Sequence, residues 1–172
     1  MSRAFVKEPD GDAIVDDAPE FPVSPHPNHV TARGLVALKN ELDDLTQRRR
    51  LLLGSNDDMG AKLEIAAMER RQRYVIKRID SAIEHDPGQI DSSLIGFGAT
   101  VSVEDEGGTV QEFTIVGEDE ADPTSFLISW TSPLARQLLG KEPGDEIRWI
   151  RPKGDVMLNV ISIRYGVKSL KQ

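Results

Sequence analysis

The 172-residue chain has no cysteine. That excludes a disulfide framework and thiolate chemistry, and it suits a reducing cytoplasm, which is the expected location. No apolar run approaches the ~20 residues that span a bilayer, so no membrane partner is expected. The opening stretch, MSRAFVKEPDGD, has no apolar core of the kind that marks a secretory signal. There is no GxxxxGK[ST] phosphate loop; the glycines are scattered at turns. Histidines 26, 29 and 85 lack metal-ligand spacing, and no Ser/His/Asp arrangement follows from the order of residues, so no intrinsic metal or cofactor is expected. A surplus of positive charge is missing too. The net charge is -8, which makes the chain a poor general binder of nucleic acid and favours a protein partner.

What is present is a mirrored pair of apolar stripes. Leu35, Leu38, Leu42, Leu45, Arg49 and Leu52 step by three and four, and so do Ile65, Met68, Gln72, Val75, Ile79 and Ala82. Folding the chain at Asp58 sets Leu38 against Ile79, Leu42 against Val75, Leu45 against Gln72 and Leu52 against Ile65. This pattern predicts an antiparallel coiled-coil hairpin over 31–86 that closes its own seam, and hence a monomer. Thr31 is placed to cap the first arm, and Gly54 to end it in a left-handed conformation. The second arm is expected from about Ala61 to Glu84, stopped by Asp86-Pro87-Gly88. The tip, 54–60, carries adjacent carboxylates at Asp57 and Asp58. Arg48, Arg49, Arg50, Arg70, Arg71 and Arg73 gather at similar height on the two arms.

The flanks differ from the hairpin. Residues 1–30 hold six acids, two bases and five prolines and read as a mobile leader. After a linker, 87–95, the period changes to two. Strands are expected around Val101–Val103 and over 110–116, 126–130, 146–150 and 156–165. In the last of these the apolar phase slips near Val160, which predicts a bulge. Ser132, Pro133 and Gly140 carry the cap, first-turn and stop signals of a short helix. The fold class is α+β: a helical hairpin, then a small antiparallel sheet wrapped on one short helix over 96–172.

The runs GFGATVSVEDE (96–106), FTIVGEDEAD (113–122) and above all TSPLARQLLGKEPGD (131–145) resemble the C-terminal domain of the bacterial Gre transcript-cleavage factors. VTARGLVALKNEL (30–42) and RQRYVIKRID (71–80) are similar to the two arms of the Gre coiled coil. The resemblance implies an FKBP-like C-terminal domain that docks on RNA polymerase beside its secondary channel, and a coiled coil that enters the channel. It implies a docking surface around Asp119, Glu120, Asp122, Ser132, Pro133 and Arg136. It implies contact of the arginine cluster with backtracked RNA or with acidic channel walls. In cleavage-competent members, acidic tip residues help hold a second Mg²⁺ at the polymerase active site, and the polymerase then hydrolyses its own RNA. The factor is thus not itself an enzyme.

Two departures stand out. The family's tip motif, of the type GD-x-SENA-(D/E)-Y, is absent, so Asp57 and Asp58 are positional substitutes. Roughly seven residues per arm are missing, which shortens the reach by about 10 Å. Three readings follow: a cleavage-stimulating factor; a channel-occupying regulator without cleavage, as in the short-armed nucleoside diphosphate kinase regulator group; and, remotely, an FKBP-like prolyl isomerase. The last would need a pocket of aromatics, and the domain offers Phe97, Phe113, Phe126, Trp130, Trp149 and Tyr165.

Overall fold

The computed structural model describes residues 18–54, 59–85 and 93–166. Two helices of equal length come first, α1 (Ala32–Leu53) and α2 (Met59–Asp80). The Thr31 hydroxyl caps α1 by accepting the Gly34 N–H. The C-terminal cap is Gly54, but at φ -76° it keeps a right-handed conformation instead of the left-handed stop expected; its N–H reaches the carbonyls of Leu51 and Leu52. The helices pack side by side and run in opposite directions. Glu41 meets Arg71, Thr46 meets Gln72 and Arg49 meets Glu69, so partner numbers rise on one arm as they fall on the other. The last two pairs lie within one residue of the register that the stripes predict.

Helix α2 ends four residues earlier than its pattern suggests. The Ser81 hydroxyl donates to the Lys77 carbonyl and the buried Asn28 amide donates to that of Arg78, so the last turn is satisfied there. The chain then leaves as a short strand, β2 (Ile83–Glu84), which pairs in parallel with β1 (His29–Val30). The leader is therefore not free up to residue 30. Its described part from Glu20 onward is bonded to α2 and to the loop after β4 (Val110–Val116).

The remaining strands are β3 (Ala99–Asp105), β4, β5 (Leu127–Ser129), β6 (Glu146–Trp149) and β7 (Val156–Tyr165), in the sheet order β5-β4-β3-β7-β6. The sheet is mixed, which corrects the antiparallel expectation: β5 runs parallel to β4. Between them the chain makes two short 3₁₀ turns, Glu118–Glu120 and Pro123–Ser125, which carry it back alongside the last three residues of β4 instead of reversing it in a hairpin. Phe126 is no strand residue. It takes φ 57°, a left-handed cap of the second turn. The predicted bulge is present. Ser102 pairs with Ser162 and Val103 with Val160, so Ile161 is the extra residue.

Helix α3 (Pro133–Leu138), capped by the Ser132 hydroxyl on the Ala135 N–H, lays Leu134, Ala135 and Leu138 on the sheet against Val101, Val103 and Ile147. Ile95, read from sequence as linker, belongs to this core at 2% exposure; its N–H donates to the Lys141 carbonyl.

Candidate functional site: the hairpin and its junction with the sheet

Among the described residues near the outer end of the two helices, several apolar side chains are exposed beside the charged Arg50, Lys62 and Glu64. Leu51, Leu53, Met59 and Leu63 are all exposed, Leu51 at 76%. The carboxylates Asp57 and Asp58 lie outside the described residues.

Most of the arginine cluster is already engaged. Arg71 grips Glu41 with two nitrogens, at 2.5 and 3.0 Å. Arg49 binds Glu69 at 2.6–2.8 Å and Arg73 binds Glu20. Arg70 is half-buried, whereas Arg48 and Arg50 are exposed. Acidic and basic residues at facing positions on two helices pair with each other before they meet a ligand, so the cluster is largely a cross-helix clasp.

The acidic loop after β4 is bonded within the chain. Its first turn points its side chains at the base of the hairpin. Asp119 accepts from Arg78 Nε and from the Tyr74 hydroxyl, each at 2.5 Å. Glu118 lies 3.5 Å from the same guanidinium, and Arg78 is 1% exposed. Glu120 accepts from Thr31 Oγ1 at 2.5 Å and from Arg33 Nε at 2.8 Å. Burial, followed by the Asp119 hydrogen bond, pushes the Tyr74 hydroxyl up to about 12. Asp119 and Glu120 thus hold the hairpin against the sheet: a buried guanidinium needs a carboxylate beside it. Asp122 is spent locally, accepting from Thr124 and Ser125, and these bonds hold its carboxyl below the usual range. Ser132 and Pro133 form the start of α3, and Arg136 is exposed on its last turn.

Other residues complete the junction and were not singled out by the sequence reading. His29 and His85 share a hydrogen bond at 2.7 Å and pack on Phe97, with Trp130 against His29. Burial, and then the neighbouring His85, lowers the pKa of His29. Two glycines allow the close approach. A Cβ on Gly117 would meet the His29 carbonyl oxygen at 2.5 Å, and one on Gly34 would meet the Glu120 carboxylate at 2.7 Å. The one sequence signal for this junction was Arg78 itself, a charge beside Val75 and Ile79 on the packing stripe. The aromatics of the sheet domain are committed as well: Phe113 packs against Trp149 and Phe126, Phe97 packs against both His29 and His85, and Trp130 against His29.

Comparison with known proteins fits this architecture. A family model described as transcription elongation factor, GreA/GreB, C-term matches residues 90–165. The transcription elongation factor GreB of Neisseria meningitidis serogroup B is 33% identical over 153 residues, covering 80% of this chain and 94% of that protein. Since 80% of 172 residues is about 138, about fifteen positions of that relative have no counterpart here. The transcription elongation factor GreA of Nitratidesulfovibrio vulgaris is 35% identical over 150 residues, covering 79% of this chain and 92% of that protein. Among solved structures, the GreA factor homolog 1 (Gfh1) protein of Thermus thermophilus is 26% identical and covers 81% of this chain and 99% of that one, with a TM-score of 0.39. By its identity to these relatives over most of its length, the chain belongs to the GreA/GreB family of transcription elongation factors.

Proposed function

We propose that this elongation factor binds RNA polymerase at the rim of the secondary channel and inserts its hairpin there. It regulates elongation by occupying the channel and acts through the polymerase without being an enzyme itself. In this reading the two helices form a short antiparallel coiled coil, and the FKBP-like sheet domain is the docking module.

The observation that carries the proposal is the group of exposed apolar side chains near the outer end of the two helices. Each arm, at 22 residues, is about 33 Å long at ~1.5 Å per residue. Leu51, Leu53, Met59 and Leu63 stand exposed around its end. Apolar side chains exposed around the end of an arm suit contact with a surrounding wall. Arg48 and Arg50, exposed just below them, are the guanidinium groups best placed to touch the channel wall or backtracked RNA. The deficit of about fifteen residues relative to the Neisseria protein matches arms that are each about seven residues short. Mg²⁺ ligands must be placed within tenths of an ångström, so a reach about 10 Å shorter favours occupancy over metal delivery.

A second reading keeps a foothold in Asp57 and Asp58, adjacent carboxylates between the two arms, which could contribute ligands to the polymerase's own active-site Mg²⁺. Purified backtracked elongation complexes separate the two. Occupancy predicts that saturating wild-type protein binds, leaves cleavage at its intrinsic rate and blocks stimulation by a competent Gre factor. Cleavage that rises with wild type and vanishes in an Asp57→Ala/Asp58→Ala variant with unchanged binding would replace occupancy by metal delivery. Absence of binding would remove both.

A further inference from the structure

Residues 20–28 run back along α2 from the junction, and the two ends of this segment are held very differently. The inner end is Asn28, 4% exposed. Its amide donates to the Arg78 carbonyl at 2.6 Å and to Ser81 Oγ at 3.2 Å. Ser24, midway, donates to Glu118 at 2.9 Å. The outer end is Glu20-Phe21. The Glu20 carboxylate accepts from Nε and Nη2 of Arg73 at 2.5–3.2 Å. The Phe21 ring lies 5.9 Å from that of Tyr74. The Arg71 guanidinium covers both rings, at 5.6 and 4.9 Å. These outer contacts stand in water: the Glu20 and Arg73 side chains are 52% and 50% exposed, and Phe21 is 43% exposed.

We propose that the face of α2 bearing Arg71, Arg73 and Tyr74 is a docking surface for an acidic residue followed by an aromatic one. Glu20-Phe21 fills it in the free protein as a displaceable strap that competes with RNA polymerase for the hairpin. The inference rests on the hairpin's entry into the polymerase.

Three features support it. First, the surface has a definite chemistry. Arg73 presents its planar fork to a carboxylate, and the Arg71 plane and Tyr74 ring make a shelf for a second ring. Second, the strap is built to hold weakly and return quickly. An exposed ion pair and an exposed cation–π contact are each worth a few-fold in occupancy. The buried Asn28 anchor nevertheless keeps Glu20-Phe21 at a high effective concentration beside its site. Pro22, Pro25 and Pro27 stiffen the tether, so little chain entropy is lost when it lies down. Third, the strap is in the way. A segment laid along a helix about 10–12 Å across thickens one side of the arm that the channel must admit, and it covers Arg73.

The test uses the full-length chain and core RNA polymerase. Glu20→Ala/Phe21→Ala removes both outer contacts and touches no buried group. Because the chain has no cysteine, a Glu20→Cys/Arg73→Cys variant carries two thiols only and can be clamped with a short bis-maleimide. The released variant is expected to bind polymerase about three- to tenfold more tightly than wild type. The clamped protein should bind at least tenfold more weakly than the same variant before cross-linking. If wild type binds and the released variant binds equally or more weakly, or if the clamped and unclamped forms bind alike, the strap is no competitor. If neither wild type nor the released variant binds, the inference falls together with the proposed function.

Discussion

The sheet domain and the hairpin solve the problem of staying folded in opposite ways. In the sheet domain Ala99, Val101, Val103, Ile115 and Leu138 are all fully buried, and β3 is covered on both faces. Thr100 and Ser102 on its outer face bond to Thr114 and Glu112. In the hairpin the buried apolar side chains are Leu38, Met68 and Val75, and the residues outward of Leu38 on α1 and of Met68 on α2 are half-buried at best. Its order comes from the clasps Glu41–Arg71 and Arg49–Glu69 and from the carboxylates that grip Arg78 at its base. One region is held by a packed interior, the other by charge pairs along a seam and at a root.

The contrast can be broken at its strongest point first. Leu138→Ala empties a fully buried site and should cost about 3–4 kcal/mol. Half-buried Leu42→Ala in the hairpin should cost clearly less. Urea unfolding of both variants checks the difference; equal losses would mean that the hairpin seam is packed as tightly as the sheet. Next, Arg78→Ala leaves Asp119 and Glu118 facing each other without their cation. It should cost about 3 kcal/mol, and it should widen the distribution of distances between spin labels on α1 and on the sheet. An unchanged distribution would show that β1, β2 and the glycine contacts fix the hairpin unaided.

The smallest effect is a pH dependence at the root. His29 has a folded pKa below its ordinary 6.5, first because it is buried and then because of His85. The unfolded chain therefore takes up a proton near 6.5 that the folded chain resists, so unfolding binds protons. The stability tied to neutral His29 is fully present above 6.5 and is lost as pH falls below it through the folded value. Thermal unfolding between pH 8 and 5 should show a downward slope at the acid end that His29→Gln flattens. A slope that survives the substitution assigns it elsewhere.

The legible parts of the fold were those written in local chemistry. Thr31, Ser132 and Pro133 fix helix starts through hydrogen bonds to residues a few positions away. The slip of phase at Val160 fixes a bulge within one strand. The illegible parts depend on distant partners. His29 finds Ile83 across the whole hairpin, two residues per strand give no period to read, and the parallel course of β5 follows from two short turns. Asp119 and Glu120 read the same whether they face water or Arg78; nothing local distinguishes an acidic loop that meets a partner from one that bolts two halves of a chain together. Arg71 and Arg73 posed the same ambiguity, and it was resolved by Glu41 and by a leader residue read as unattached.

The sheet order has a consequence for how the protein comes into being. β3 opens the domain, yet it lies at the centre of the sheet and its neighbour on one side is β7, the last strand. The central pairing cannot close until Tyr165 has been made, whereas α1 and α2 can associate once Asp80 has appeared. At a synthesis rate of about 5–20 residues per second, roughly 85 residues separate the two events, or about 4–17 s. For the first part of that interval Arg78 waits for Asp119, and until its end β3 keeps an unpaired edge on the side that β7 fills. The ribosome thus delivers the two helices before the sheet that holds their root, and β7, the last of the described strands, completes that sheet.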